Sequence, residues 1–283
     1  MAIYILMLST TIGFEYLSVD PIAQRVGMGY AQVGDGCSVS YNPAGLAYTV
    51  GSYYSASYLH YIADTHFGYV GYEKDQFGMG IKYFNGGSLK KTDEFGQEYG
   101  SFGVHFLDLN IGKGFFYQDF ALGITVKGVY ANIDTLYAAG AGVDLGALYL
   151  LSEYEIQLGL AVKNIGVGIR PFIEARELFP YEVDLGAMTY SEEGWLGMDL
   201  VFHSLMNLGL RIGGAYSIFE NFELRGSYNT LLSSLRTGNN GLDFLTGLSL
   251  GFGLKLNTIS VDYSYSPYFD LGECHRLSVS IGG

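Results

Sequence analysis

This chain of 283 residues has two cysteines, five prolines and fifteen Lys plus Arg, and no apolar run long enough for a membrane-spanning helix. Each shortage narrows the reading. Cys37 and Cys274 lie at opposite ends in no metal-ligand or redox spacing, and read as buried thiols rather than a disulfide. Scarce basic residues and a net charge of −13 argue against a nucleic-acid surface. His60, His66, His105, His203 and His275 show no metal spacing, and there is no Gly-x-Ser-x-Gly or other nucleophile motif. Gly27-Met28-Gly29 lacks the strand-then-helix context of a nucleotide fingerprint. The residues therefore point to a non-enzymatic protein without cofactor or metal.

What is abundant is glycine (41), tyrosine (25) and phenylalanine (18), a composition of tightly turned strands rather than helices. From Ala47 onward apolar residues alternate with polar or small ones. In Phe120–Tyr130, Phe120, Leu122, Ile124 and Val126 form one face, and Ala121, Gly123, Thr125 and Lys127 the other. The same period of two runs through Tyr154–Lys163, Asn221–Asn229 and Ile259–Ser266. Such segments fall at 51–61, 65–73, 76–84, 100–112, 119–130, 139–150, 154–164, 181–190, 195–203, 208–217, 221–229, 244–256, 258–266 and 274–282. That makes about fourteen strands, most near the 9–11 residues a tilted strand needs to cross a bilayer.

A soluble sandwich also alternates, but two features favour a membrane barrel. The non-apolar face carries charges in mid-strand: Lys82, Lys127, Asp144, Glu155, Asp184, Asp199, Arg211, Arg225 and Asp262. In a barrel these face the lumen while the apolar face meets lipid. Connections also alternate, tight at 74–75, 151–153, 191–194, 218–220 and 257, and mostly long at 85–99, 131–138, 165–180, 230–243 and 267–273. Aromatic residues near strand ends (Tyr58, Tyr61, Tyr83, Phe84, Tyr130, Tyr149, Tyr190, Trp195, Phe202, Tyr216) suit interfacial girdles. A closed sheet satisfies every backbone group in lipid, so the missing apolar helix is no objection. The expected fold is an all-β, antiparallel transmembrane β-barrel in the bacterial outer membrane.

The residues before the strands read differently. Met1–Gly13 is apolar but too short to span and lacks a basic start; it reads as a signal-peptide remnant, with a mature chain from about Phe14. Residues 14–48 form an irregular Gly-rich unit, and 49–283 the barrel. Within the unit, Gln24–Ala47 clusters Gly27, Gly29, Gly34 and Gly36 and ends in Asn42-Pro43-Ala44-Gly45-Leu46. Taken locally it is either a compact plug or a flexible leader; with a barrel to follow, the plug is the expectation.

At Ala23–Ala47 the sequence resembles the FadL-like outer-membrane superfamily, and within it the PorV/PorQ family. The resemblance is carried by Ala23, Gly27-Met28-Gly29, Ala31, Asp35 and Asn42-Pro43-Ala44-Gly45-Leu46. It continues in Phe84-Asn85-Gly86-Gly87, Thr92–Gly96, Val162–Gly166, Leu224–Asn229, Val261–Tyr265 and Asp270–Arg276. It implies a fourteen-stranded barrel whose N-terminal segment enters the lumen as a hatch. It also implies either service in type IX secretion, with secretion-machinery proteins or secreted cargo as partners, or passage of long-chain fatty acids and other hydrophobic small molecules. The sequence departs from the family in ending Ser280-Ile281-Gly282-Gly283, without a terminal aromatic residue, and in short external loops.

The hatch motif is thus expected at Gly27, Gly29, Asp35, Asn42, Pro43 and Ala44. Asn42 either ties the hatch to the wall or simply forms an Asn-Pro turn. Arg25, Asp35, Arg211 and Arg225 either form a lumenal ion-pair network locking the hatch or line a solvated lumen.

Overall fold

The computed structural model describes residues 11–25, 36–174, 177–238 and 241–282. Its strands are β1 (Thr11–Ile12), β2 (Ser52–Tyr61), β3 (Thr65–Lys74), β4 (Phe77–Thr92), β5 (Glu98–Tyr117), β6 (Phe120–Ile133), β7 (Leu136–Leu151), β8 (Ile156–Arg170), β9 (Glu177–Leu178), β10 (Glu182–Ser191), β11 (Gly194–His203), β12 (Asn207–Phe219), β13 (Phe222–Asn229), β14 (Leu248–Leu256), β15 (Ile259–Pro267) and β16 (Glu273–Gly282). The fourteen long strands pair each with the next, all antiparallel; β16 pairs with β2 and β7 with β8, so the sheet closes on itself. The two-residue strands β1 and β9 pair in parallel outside this ring.

The pleat decides what each side chain meets. On β6, Phe120, Ile124, Val126 and Tyr130 are exposed, whereas Ala121, Thr125, Lys127 and Val129 are buried inside. Exposed apolar side chains recur around the outer wall, from Tyr54 and Val70 to Leu277 and Ile281. In water such a belt would be a large aggregation-prone surface; in a bilayer it is the lipid contact of an outer-membrane barrel.

At one end the strands join through short turns. Asp75 and Gln76 both have positive φ (47° and 70°), the two-residue turn whose twist matches that of its hairpin. At the other end, three expectations need correction. The segment 85–99 is no long loop, because β4 runs on to Thr92 and β5 starts at Glu98. Gly86-Gly87, inside that segment, marks a bulge between the Asn85 and Ser88 register positions. The segment 131–138 likewise shrinks to the two residues between β6 and β7. The strand expected from residue 244 starts only at Leu248, after a 3-10 turn at Asp243–Leu245 and Gly247 at φ 110°.

Five side chains also face unexpectedly. Tyr190 and Trp195, expected in the girdle, share the inward parity of Met188 and Asp199 and pack against the cluster of Ala44, Ala47, Ala121, Leu148 and Met188. Glu155 is not an inward mid-strand charge but an exposed turn residue with φ 52°. Tyr61 and Phe84 do not join an interfacial girdle: their pleat parity turns them into the lumen. There Phe84 meets Phe67 and Phe106 at ring-centroid distances of 4.7 and 5.0 Å. Tyr61 packs edge-on against Phe67 and Tyr268. With Phe14, Tyr16, Leu17 and Phe179 they form an apolar core inside the barrel's loop-side half.

Candidate functional site

The described parts of the N-terminal segment run against the inner wall. Near the loop-side end, Tyr16 stacks on Phe106 at 4.7 Å and donates its hydroxyl to the Leu107 carbonyl at 3.1 Å. Lys82 donates to the carbonyls of Leu17 and Val19 (3.3 and 3.2 Å), and Arg276 Nε to that of Asp20 (2.9 Å). Ala23 N–H donates to Ser278 Oγ at 2.8 Å. Residues 36–48 then lie toward the turn side, ending where β2 begins.

Glu73 on β3 organises that lower part. Its side chain is fully buried, yet its carboxylate accepts from Gly36 N–H (3.3 Å), Val39 N–H (3.1 Å) and Thr49 Oγ1 (3.3 Å). A buried carboxylate is tolerable only with such donors around it. Sequence reading missed it because Glu73 stands in Tyr72-Glu73-Lys74-Asp75, which looks like a polar turn. The signal in the sequence is parity: Phe67, Tyr69, Gly71 and Glu73 share one face, and all four pack inward, a Cβ on Gly71 colliding with the Gly36 carbonyl.

Across the lumen the wall is made of glycines. A Cβ on Gly114 would collide with the Ala47 backbone, one on Gly123 with the Pro43 carbonyl, and one on Gly146 with the Asn42 side chain. These come from β5, β6 and β7, so three neighbouring strands leave a backbone-deep track that the 3-10 turn Pro43–Tyr48 occupies. Thr125 Oγ1 donates to the Val39 carbonyl at 2.9 Å beside this track.

The residues singled out from sequence divide as follows. Asn42 caps the Pro43–Tyr48 turn through Ala44 N–H at 3.0 Å, with Pro43 in the first turn, and its Nδ2 reaches the Leu160 carbonyl at 3.4 Å. It thus has the geometry of both the turn former and the wall contact. Pro43 and Ala44 are buried on the glycine track. Gly27, Gly29 and Asp35 lie outside the described residues. Arg25 is buried, its guanidinium 5.3 Å from the Tyr41 ring centroid.

Arg211 and Arg225 fall in separate clusters, both on the barrel wall. Arg211 pairs with Glu182 (3.0 Å) and Asp184 (3.4 Å), and Lys163 with the same two carboxylates (2.9 and 3.9 Å). Arg225 pairs with Asp262 at 2.7 Å and with Glu223. A further pair, Lys127–Asp144 at 2.9 Å, braces a bulge in which Lys163 and Asn164 oppose Asp144 and Asn164 N–H donates to its carboxylate.

The lumen holds a loop-side and a turn-side cavity. The loop-side one, about 240 Å³, is lined by Arg25, Lys82, Lys163, Arg211 and Arg276, by the acidic Glu15, Asp20 and Glu182, and by Tyr61 and Tyr268. The turn-side one, about 560 Å³, is lined by Gln24, Arg225 and Asp262 among others. Gln24 lines one and Arg25 the other, so the short turn Ala23–Arg25 marks their boundary.

A Ser–His contact exists as well, Ser18 Oγ to His203 Nε2 at 2.9 Å. It is not a nucleophile pair. Leu205 N–H donates to His203 Nδ1 at 3.1 Å, which puts the neutral ring's proton on Nε2, pointing at Ser18. A histidine that donates to the hydroxyl cannot take its proton. Among the described residues no three His, Cys, Asp or Glu side chains are grouped to hold a metal, and Cys37 and Cys274 are buried free thiols.

Neither a protein-family model nor a curated protein sequence matches the chain. Solved structures do. The Pseudomonas putida toluene transporter TodX is 14% identical, with 90% of this chain and 96% of TodX covered at a TM-score of 0.55. The Ralstonia pickettii toluene transporter TbuX is 11% identical, with 93% and 97% covered at 0.57. A TodX deletion variant described as a monoaromatic hydrocarbon channel gives 13% identity, 94% and 98% coverage and 0.58. At such identity the likeness speaks for the fold, and on that level it is nearly complete from end to end. The chain has the fold of these transporters, a closed fourteen-stranded antiparallel barrel of the bacterial outer membrane.

Proposed function

We propose that the protein is a FadL-like outer-membrane channel that passes hydrophobic small molecules through its lumen, with the N-terminal segment as the hatch. The observation that carries this reading is the pair of lumenal cavities meeting at Ala23–Arg25. A molecule entering from the loop side reaches the smaller cavity, and displacement of the turn joins it to the larger one. The inner aromatic core gives such a molecule an apolar surface near the outer mouth. The toluene-transporter fold of the barrel agrees with the reading. A cavity of about 240 Å³ also fits it in size, since an engineered cavity of about 150 Å³ already takes a benzene. The test is uptake into proteoliposomes: the channel should speed entry of toluene above the protein-free rate and saturate. Entry at the protein-free rate would sink the proposal.

The PorV/PorQ resemblance supports a second reading, a non-enzymatic component of type IX-like protein secretion or surface attachment. It rests on Asn42-Pro43-Ala44-Gly45-Leu46 and Asp270–Arg276 in the sequence. Pull-down from native outer membranes separates the readings: recovery of secretion-machinery proteins or secreted cargo, with no toluene uptake, would favour this one.

A further inference from the structure

Most lumenal cations are matched by carboxylates. Lys163 and Arg211 share Glu182 and Asp184, Lys127 has Asp144, and Arg225 has Asp262 and Glu223. Lys82 and Arg276 are different. Both line the loop-side cavity, and among the described residues neither has a carboxylate within ion-pair distance, 4.0 Å. Asp108, across the ladder from Lys82, stays out of range. Asp20 turns its carboxylate to Ile22 N–H and the Tyr41 hydroxyl and offers Arg276 only its main-chain oxygen. Arg276 is 4% exposed, so its charge is largely removed from water. Arg276 Nη1 also donates to Ser266 Oγ at 2.9 Å, a neutral acceptor as well. Burying cations against neutral acceptors is costly, and an anion placed between them would recover part of that cost.

The rest of the cavity adds an apolar side. Tyr61 and Tyr268 meet edge to face at 6.3 Å, and Leu232 and Leu235 pack against the same aromatic core. The volume of about 240 Å³ suits one compact ring and has no room for a long acyl chain.

We propose that the loop-side cavity binds a compact amphiphilic anion, an aromatic or similarly small carboxylate. Its carboxylate takes hydrogen bonds from Lys82 and Arg276, and its body packs on Tyr61, Tyr268, Leu232 and Leu235. This rests on the channel reading and sharpens it to a substrate class. Because both cations now donate to the carbonyls of Leu17, Val19 and Asp20, a bound carboxylate competes for the donors that hold the N-terminal segment.

The test is calorimetry on the full chain in detergent with benzoate, benzyl alcohol and acetate. Benzoate should bind about tenfold or more tighter than benzyl alcohol, which lacks the charge, and than acetate, which lacks the body. Lys82→Met should weaken benzoate about tenfold, and Lys82→Arg should restore most of it. Benzyl alcohol binding as tightly as benzoate overturns the assignment, and this comparison needs no variant. Benzoate affinity unchanged in a folded Lys82→Met protein overturns it too. Toluene uptake separates this from the channel reading. Toluene flux without benzoate preference leaves the channel standing and removes the anion site. Benzoate binding without flux of either compound does the reverse.

Discussion

Glu73 and Asn42 act on the same stretch of chain by different means. Glu73 supplies an acceptor to two buried N–H groups and one hydroxyl of residues 36–49, so Glu73→Leu strands all three donors. Each buried donor left unpaired costs about 1–3 kcal/mol, and the segment should loosen well before the barrel does. Limited proteolysis should show faster cleavage between residues 36 and 49 with the barrel fragment intact; unchanged cleavage would show that other contacts suffice. Asn42 offers a cap and a weaker wall contact. Asn42→Ala should cost about 1 kcal/mol of stability, read as a lower thermal midpoint, and Asn42→Asp, which keeps the accepting oxygen, much less. If both lose equally, the Leu160 contact rather than the cap is what matters. Asn42 could be singled out from its sequence because a cap is local. Glu73 could not, because its partners lie 24 to 37 residues away in the chain.

At the scale of elements, the glycine track and the braced bulge set how the segment fits the wall. Gly123 on β6 touches Pro43, whereas Gly128 on the same strand has open space around it. Gly123→Val should therefore push the segment off the wall, at about 1–3 kcal/mol for overpacking, and raise ion conductance in planar bilayers. Gly128→Ala should leave conductance unchanged; equal effects from the two would refute the track. Lys127 and Asp144 are 5% and 1% exposed. Asp144→Leu leaves a buried cation without its carboxylate and should destabilise the barrel by about 3–5 kcal/mol, while Lys127→Met with Asp144→Leu should recover part of that in urea unfolding, the Asn164 N–H staying unpaired. Alternation made the faces of β6, β8, β13 and β15 legible from sequence. Closeness to a strand end does not make a girdle at Tyr61, Phe84, Tyr190 and Trp195, because their pleat parity is inward. Alternation fails at Gly86-Gly87, since a bulge and a loop start carry the same glycines.

For the whole molecule, the proposed hatch predicts that the lumen is blocked by residues it could lose. Deleting residues 24–47 should leave a barrel that still resists unfolding in detergent but conducts ions in planar bilayers far better than the full chain. Equal conductance would mean that this segment does not block the pore. The amino-acid sequence by itself determined the barrel: a period of two with one apolar face admits only a half-buried sheet, and inward charges with outward aromatics place lipid outside. It also marked Asn42–Leu46 as a local, capped turn. Tertiary structure alone decided what that turn meets. Gly114, Gly123 and Gly146 lie on three different strands, and Glu73, Lys82 and Arg276 on three more, brought around one lumen only when β7 pairs with β8 and β16 with β2. No spacing in the chain encodes that convergence, because closure joins residues that are up to 256 positions apart, as Arg276 and Asp20 are.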